Sequence, residues 1–445
     1  MGKKRILVSL MLAACWFLSS QAFAIDSTRT VLPNGLIVLH SENHNLPIVM
    51  VTLIVRAGQV HEPGEKAGLA NVTAELLSEG TKARSSKEIS EALDFIGASL
   101  GISAGADYTT LTLSVLKKDI QKGFDIFSDV LLHPSFPQEE ITRVKELIKG
   151  SLKHREEDPS FLAGRAFRKE VFGTHPYGRL MEGSAETIDF ITREDMMQFH
   201  SAYFLPNNAI LSVAGDLTPE ELQGMLQQYL NEWKKAVVPL TVFGKPAGKP
   251  GRSVLKIEKD LTQATLMLGN LGIRREDPDY YAVSVMNYIL GGGGFSSRLM
   301  RSIRDEKGLA YDVQSFFAAQ KESGYYQISL QTKNESANTA LAEIITQVKR
   351  ITAEPVSDEE LSEAKSFLTG NFLRRLDTNR KIADFFAAVE FYALGLDYRT
   401  NYPGYINAVT KEDILRVARK YLSAEQYVLA VVADQKKAGL QYPEK

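Results

Sequence analysis

Cysteine is nearly absent from this chain of 445 residues, which contains only Cys15. A cysteine nucleophile and a cysteine-based metal site are therefore excluded for the chain beyond that position. No Lys/Arg run typical of nucleic-acid binding is present, and the formal net charge is −2. No apolar segment is long enough to span a bilayer comfortably. These absences favour a large, mildly acidic globular protein whose core is adequate without disulfides.

The first 24 residues have the features of a secretory signal peptide. Residues 3–5 are basic, residues 6–18 are apolar, and residues 21–24 read Gln-Ala-Phe-Ala, a small-x-small cleavage site. We therefore expect a mature chain that begins at Ile25 and is exported to the periplasm. Cleavage removes three basic residues and no acidic residue, which changes the formal net charge from −2 to −5.

The same segment also resembles a lipoprotein signal, because residues 12–15 read Leu-Ala-Ala-Cys. Lipid attachment at Cys15 would anchor the mature chain to a membrane. The apolar run continues past Cys15 and a second cleavage site follows it, which favours a freely soluble mature protein.

An internal repeat relates the two halves of the sequence. Residues 191–195 (Ile-Thr-Arg-Glu-Asp) match residues 409–413 (Val-Thr-Lys-Glu-Asp), and the match continues without a gap. In both copies a threonine followed by acidic residues predicts the start of a capped helix. The β-rich runs at 209–213 and 427–431 then predict a strand in each copy. A match that includes cap, core and strand positions indicates a duplication.

The duplication predicts an α+β fold with two similar domains. Strands occur in runs and helices cluster, which favours mixed or antiparallel sheets with helices packed on one face. A segment rich in proline and glycine separates the halves and is expected to be an exposed linker. The predicted segments are the signal peptide (1–24), the N-terminal domain (25–233), the linker (234–252) and the C-terminal domain (253–445).

Residues 68–81 contain a catalytic motif in altered form. They read Gly-Leu-Ala-Asn-Val-Thr-Ala-Glu-Leu-Leu-Ser-Glu-Gly-Thr. This segment resembles the zinc helix of the M16 metallopeptidase family (pitrilysin and mitochondrial processing peptidase), which reads Gly-Leu-Ala-His-x-x-Glu-His-x-x-x-x-Gly-Thr. There the two histidines bind zinc and the glutamate takes a proton from the zinc-bound water. Here Asn71 and Glu75 replace the histidines, and Ala74 replaces the glutamate.

A downstream segment resembles the part of the family that supplies the third zinc ligand. Residues 136–159 follow the pattern Phe-x-Pro-Glu-Glu-Leu … Asp-Pro, and the family's ligand-bearing Glu-Glu pair falls on Gly150 and Ser151. The resemblance thus implies that the base and all three ligands are replaced. We therefore expect that this chain binds no metal or other cofactor.

Other sources of catalytic chemistry are weak in this sequence. His40 and His44 have helical ligand spacing, but they lie between a predicted strand and a proline. No Gly-x-Ser-x-Gly motif occurs, and the glycines at 291–294 lack the Lys-Ser/Thr of a phosphate loop. The remaining histidines are expected to be ordinary packing or surface residues: His61, His133, His154, His175 and His200.

Residues 291–311 are closely similar to the Arg/Tyr segment of M16 C-terminal domains. They read Gly-Gly-Gly-Gly-Phe-Ser-Ser-Arg-Leu-Met-Arg-Ser-Ile-Arg-Asp-Glu-Lys-Gly-Leu-Ala-Tyr, and Arg304 and Tyr311 match the family pair. The resemblance implies that Tyr311 donates to a peptide carbonyl as it becomes an oxyanion, while Arg304 helps to hold the substrate backbone. The glycines are expected to allow close approach of backbone to a substrate or partner.

The resemblance implies a chain that works with a second subunit, because a two-domain M16 chain forms half of a four-domain clamshell. The partner is expected to be an M16 subunit with an intact His-x-x-Glu-His and its zinc, and peptides are the expected substrates. An alternative is a non-enzymatic scaffold or peptide-binding protein, as the complex III core subunits are. A third interpretation, a stand-alone peptidase using Glu75, Glu79 and a distant histidine, lacks a base beside the metal.

Overall fold

The fold is described from a computed structural model, which covers residues 26–246, 248 and 250–441. The predicted signal peptide, the lipobox-like segment and Ile25 lie outside the described residues. Eleven strands occur among the described residues. They are β1 (Thr28–Val31), β2 (Ile37–Glu42), β3 (Ile48–Val55), β4 (Ser99–Ala104), β5 (Thr109–Leu116), β6 (Ala209–Gly215), β7 (Arg252–Glu258), β8 (Gln263–Leu271), β9 (Ala310–Ala318), β10 (Tyr325–Lys333) and β11 (Tyr427–Ala433).

The α-helices cluster between the strand runs of each half, as the sequence predicts. They are α1 (Leu69–Leu76), α2 (Ser86–Phe95), α3 (Ile120–Leu132), α4 (Gln138–Arg155), α5 (Pro159–Phe172), α6 (Ala185–Phe190), α7 (Arg193–Tyr203), α8 (Pro219–Tyr229), α9 (Tyr280–Asn287), α10 (Ala337–Ala353), α11 (Asp358–Phe372), α12 (Asn379–Phe391), α13 (Tyr398–Asn407), α14 (Lys411–Tyr421) and α15 (Gln435–Ala438). Within the described ranges, none of these helices has both the length and the apolar character needed to cross a membrane.

The strands form two sheets with the same internal order. The first sheet is β1-β2-β6-β3-β5-β4 and the second is β7-β11-β8-β10-β9. β2 pairs parallel with β6, and β7 pairs parallel with β11, while the other neighbours are antiparallel. Apart from β1, each strand of the first sheet has a counterpart at the equivalent place in the second. The predicted α+β fold with two similar halves is confirmed.

The predicted helix caps explain where several helices begin. Thr192 and Thr410 start α7 and α14, and each threonine oxygen accepts from the backbone amide three residues later. The carboxylates of Asp195 and Asp413 in turn accept from the backbone amides of these threonines, so both copies of the repeat carry the same capping box.

Each half packs its own helices on one face of its sheet. In the first half, Leu53 and Leu211 share a core with Phe124 of α3. In the second half, Leu266 and Leu429 occupy the corresponding core. β6 and β11 are buried at all seven positions of each strand, which requires that the opposite face of both sheets is also covered.

The opposite face of each sheet is covered by a helix from the other half. α12 of the second half packs Phe386 against Met50 of the first sheet. α5 of the first half packs Phe167 against Met267 and Val428 of the second sheet. α5 and α12 follow corresponding helices of the repeat, so the exchange is reciprocal. It joins the two halves through apolar cores.

Candidate functional site

The helix at the altered zinc motif is held by a buried carboxylate. Glu62 is 5% exposed, and its two oxygens accept from the backbone amides of Gly68 at 3.1 Å and Ala70 at 3.0 Å. These amides belong to the first turn of α1, where the helix dipole favours a negative charge. Burial nevertheless outweighs these hydrogen bonds and raises the pKa of Glu62 to about 7.

The side chains at the ligand positions keep the spacing of the zinc motif but lack its metal-binding groups. Asn71 and Glu75 are one turn apart on α1, where Asn71 is half-buried and Glu75 is exposed. Ala74, at the position of the base, is 1% exposed. α1 packs on α4, which carries Ser151 on its exposed surface. Partial desolvation and the charge of Glu79 raise the pKa of Glu75.

These residues do not fit a zinc ion. Asn71, Glu75 and Ser151 offer one carboxylate and no imidazole or thiolate, whereas protein zinc sites use His, Cys and acidic ligands. Glu79 is already paired with Arg143 at 2.7 Å. In the described ranges, no group of three or more His, Cys, Asp and Glu side chains is placed to hold a metal ion. The stand-alone peptidase interpretation therefore has no supporting geometry in this part of the chain.

Several histidines serve packing roles, in line with expectation. Burial lowers the pKa of both His175 and His200 to about 4. Nε2 of His200 lies 2.8 Å from the Leu131 carbonyl oxygen, and Nδ1 of His175 accepts from the Tyr177 amide at 3.2 Å. His40 is buried in β2, so the spacing of His40 and His44 does not correspond to a helix.

Two ion pairs, each with one buried partner, fix the Arg/Tyr segment to helices of the second half. Arg298 donates to both carboxylate oxygens of Glu360, at 2.6 and 2.8 Å. Farther along the segment, Ser302 and Lys307 both bind the Glu343 carboxylate of α10. Arg304 lies between these two anchors, in a π-helical stretch that spans Met300–Glu306. π-Helical turns are frequent at functional sites.

A β-bulge sets the direction of Tyr311. Ala310 pairs with Thr332 and Val313 pairs with Leu330, so two residues of β9 oppose the single residue Gln331 of β10. A bulge of this kind bends the strand and redirects its side chains. The Tyr311 side chain is 82% exposed and lines a cavity together with Arg304.

Arg304 is packed between two aromatic rings. Its guanidinium carbon is 4.7 Å from the ring centre of Phe295 and 4.6 Å from that of Tyr311. Such contacts position a guanidinium while leaving its N–H groups available. Arg304 has no side-chain hydrogen bond or ion pair with another described residue. Its donors are therefore available to a ligand.

The cavity beside this pair has a volume of about 780 Å³ and is referred to as the Arg/Tyr cavity. Its floor is the part of the β8, β9 and β10 face that α5 does not cover, and Ser160 of α5 forms part of its wall. No residue of the altered zinc motif lines it. The floor contains four side-chain amides, which suit the hydrogen-bonding groups of a peptide backbone: Gln263, Gln314, Gln327 and Gln331.

The glycine run before this segment is used for packing within the chain. A Cβ atom on Gly291 would lie 2.6 Å from Ser315 Oγ, and one on Gly293 would lie 2.7 Å from the Tyr288 carbonyl oxygen. Packing within the chain thus accounts for glycine at these two positions, and the approach of the run to a substrate or partner stays a prediction. Gly294 adopts a φ of +59°, which glycine tolerates best.

Comparisons with known proteins match both halves of the chain. The family profile described as "Insulinase (Peptidase family M16)" matches residues 37–183, and the one described as "Peptidase M16 inactive domain" matches residues 191–368. An "uncharacterized zinc protease" of Rickettsia bellii is 30% identical over 347 residues, which cover 76% of this chain and 81% of the relative. The "non-peptidase homolog YmxG" of Helicobacter pylori is 28% identical over 98% of this chain and 99% of its own length.

Solved structures give the same result. A protein from Pseudomonas fluorescens, described as a peptidase M16 inactive domain, superposes with a TM-score of 0.86 at 29% identity. The match covers 94% of this chain and 99% of that one. The fold and the replaced ligands define a zinc-protease-like protein in which the described residues form no zinc site. The chain belongs to peptidase family M16. The names of its matches, "inactive domain" and "non-peptidase homolog", agree with that description.

Proposed function

We propose that this chain is the non-catalytic subunit of a heterodimeric M16 metalloendopeptidase that cuts peptides. The partner subunit carries the intact His-x-x-Glu-His, the zinc ion and the base, while this chain contributes Arg304 and Tyr311. The observation that carries the proposal is the Arg304 guanidinium, held between two rings with free donors at a large cavity. The described part of the same chain contains no group of residues placed to bind zinc.

The chemistry assigned to this chain is binding and charge stabilisation. The exposed hydroxyl of Tyr311 donates to a peptide carbonyl oxygen as negative charge develops on it. Arg304 donates to backbone carbonyls of the same peptide, and its ring contacts reduce the loss of side-chain freedom on binding. Residues 1–24 support the further proposal that the complex acts in the periplasm.

The second candidate is a peptide-binding or scaffold protein that takes no part in hydrolysis. The replaced ligands favour it, and so does the relative named as a non-peptidase homolog. A peptide-binding protein, like the first candidate, predicts that peptides bind at Arg304 and Tyr311, whereas a pure scaffold does not. Only the first predicts that these residues change the turnover number of a partner subunit.

Turnover of a fluorogenic peptide by the complex separates these candidates. We expect Tyr311→Phe to lower kcat by about 100-fold, because it removes one donor to the oxyanion. Arg304→Ala is expected to raise KM and lower kcat together. Arg301→Ala, an exposed arginine in the same segment, and Tyr405→Phe serve as matched controls with native rates. Full rates for Tyr311→Phe and Arg304→Ala would refute the catalytic contribution.

A further inference from the structure

A second cavity of about 300 Å³, referred to as the distal cavity, lies next to the Arg/Tyr cavity. Both cavities are lined by Ser160, Met267 and Gln327, so they form one groove over the same sheet face. The groove follows β10 from Gln331, opposite the bulge at Tyr311, towards Tyr325 in the distal cavity. These positions are six residues apart, which corresponds to about 20 Å of extended chain.

The distal cavity contains a guanidinium with an unused donor. Nε of Arg168 is buried and has no hydrogen-bond partner among the described residues. The guanidinium lies near the hydroxyl of Tyr325, where its positive charge opposes the rise in the Tyr325 pKa that burial causes. A buried donor without an acceptor costs free energy, and native proteins almost always satisfy such groups. Nε itself has almost no exposed surface, so a ligand in the distal cavity would reach this guanidinium through its terminal N–H groups.

The other charged groups that line the distal cavity already have partners. Arg155 pairs with Glu182 at 2.5 Å and stacks 4.2 Å from the ring centre of Phe161. Asp158 caps α5, where it accepts from the Ser160 amide at 2.8 Å. Among the charged side chains that line this cavity, Arg168 is therefore the one left to pair with a ligand. The charge-assisted partner that a guanidinium prefers is a carboxylate.

We propose that the distal cavity is a carboxylate subsite of the peptide groove, with Arg168 as the residue that pairs with the carboxylate. The group is either an acidic side chain or the C-terminus of an extended peptide, about six residues from the point held by Arg304 and Tyr311. The subsite rests on one part of the proposed function, namely that a peptide binds in this groove. It adds a preference for acidic or C-terminal segments and a minimum peptide length.

Binding of labelled ten-residue peptides to the isolated chain, followed by fluorescence anisotropy, tests the subsite. One peptide is neutral with an amidated C-terminus, and the second has a free C-terminus. The third is amidated and carries one glutamate six residues from the segment that Arg304 and Tyr311 are expected to hold. We expect the native chain to bind one of the carboxylate peptides about tenfold more tightly than the neutral peptide. The peptide that gains affinity identifies the source of the carboxylate.

Variants connect that preference to Arg168. Arg168→Gln is expected to bind all three peptides as weakly as the neutral one, while Arg168→Lys keeps part of the preference. Lys169→Gln removes one exposed charge from the same helix and should leave the preference intact. Thermal unfolding of each variant checks that the fold is retained.

The outcomes distinguish the subsite from the proposed function. Equal affinity for all three peptides, or a preference that survives in folded Arg168→Gln, would overturn the subsite alone. Unchanged affinity for every peptide in Arg304→Ala would overturn the Arg/Tyr cavity as the binding site. Failure of the native chain to bind any of the peptides would overturn both.

Discussion

The ion pair between Arg298 and Glu360 is predicted to be the main anchor of the Arg/Tyr segment. The Arg298 side chain is 7% exposed and that of Glu360 is 21% exposed. Glu360→Gln keeps the shape of the side chain but removes its charge, so the Arg298 guanidinium would remain buried without a counter-ion. Breaking a buried pair in this way typically costs about 3–5 kcal/mol.

The electrostatics of Glu360 set the size of the effect. Burial by itself raises the pKa of Glu360, but hydrogen bonds from Arg298 and Ser357 outweigh burial and lower it to about 2. The difference from the ordinary value corresponds to about 3 kcal/mol, which solvent screening of a partly exposed carboxylate reduces. The cost of leaving the Arg298 guanidinium buried without a counter-ion adds to this value. We therefore expect Glu360→Gln to lower the free energy of unfolding by about 2–4 kcal/mol.

Equilibrium urea unfolding at pH 7 measures this loss. Glu359→Gln is the matched control, since Glu359 is exposed in the same turn of α11. Because the pKa of Glu360 is lowered by folding, its stabilising contribution is full above its ordinary pKa and is lost as the pH falls towards about 2. The difference between variant and native chain should therefore shrink below pH 5. A loss within about 0.5 kcal/mol of the control would refute the reasoning.

Three further predictions concern the two halves of the site. Folding raises the pKa of Glu62 to about 7, so the free energy of unfolding of the native chain loses the contribution of protonated Glu62 as the pH rises. Between pH 5 and 8, the free energy of unfolding of Glu62→Gln should therefore rise by about 2–3 kcal/mol relative to that of the native chain, as measured by urea unfolding. Gly291→Ala places a methyl group against β9 and should cost about 1–3 kcal/mol of unfolding free energy, with Gly370→Ala, which has open space, as control. The triple variant Asn71→His, Glu75→His, Ser151→Glu should bind one zinc ion per chain by elemental analysis, and the native chain is expected to bind none. The absence of zinc from the folded variant would contradict the preserved motif geometry.

The sequence predicted the repeat and the elements within it because their signals are local. The signals of the cap threonines Thr192 and Thr410 and of the β-rich runs depend on neighbours within a few residues. The exchange of α5 and α12 was not predicted, since an amphipathic helix does not indicate which of two similar apolar faces it covers. The available hint was the nearly continuous apolar sequence of β6 and β11, which is typical of strands covered on both faces.

The site was predicted only in part. The altered zinc positions and the pair Arg304 and Tyr311 follow from the resemblance, whereas Phe295, Arg168 and the bulge depend on distant contacts and strand register. Glu360 had a local signal, because Ser357 and Glu360 form a capping box, but nothing in the sequence identified Arg298 as its partner. For the glycine run, the sequence shows where the glycines lie but does not show which atoms they approach in the fold.

The proposal has a structural consequence for the complex. The Arg/Tyr cavity lies on the second sheet and includes none of residues 68–81, so the two parts of an M16 site are separate within this chain. A partner that brings zinc to Tyr311 must therefore face the second sheet. The groove to Arg168 would then receive the part of the peptide that is not being cut.

The most direct test of this account is purification of the tagged chain from its native host, with mass spectrometry of the proteins that remain bound. The account predicts a stoichiometric M16 subunit with an intact His-x-x-Glu-His, together with zinc in the complex. Recovery of this chain alone or as a homodimer, without zinc, would contradict the catalytic role and leave the peptide-binding or scaffold function.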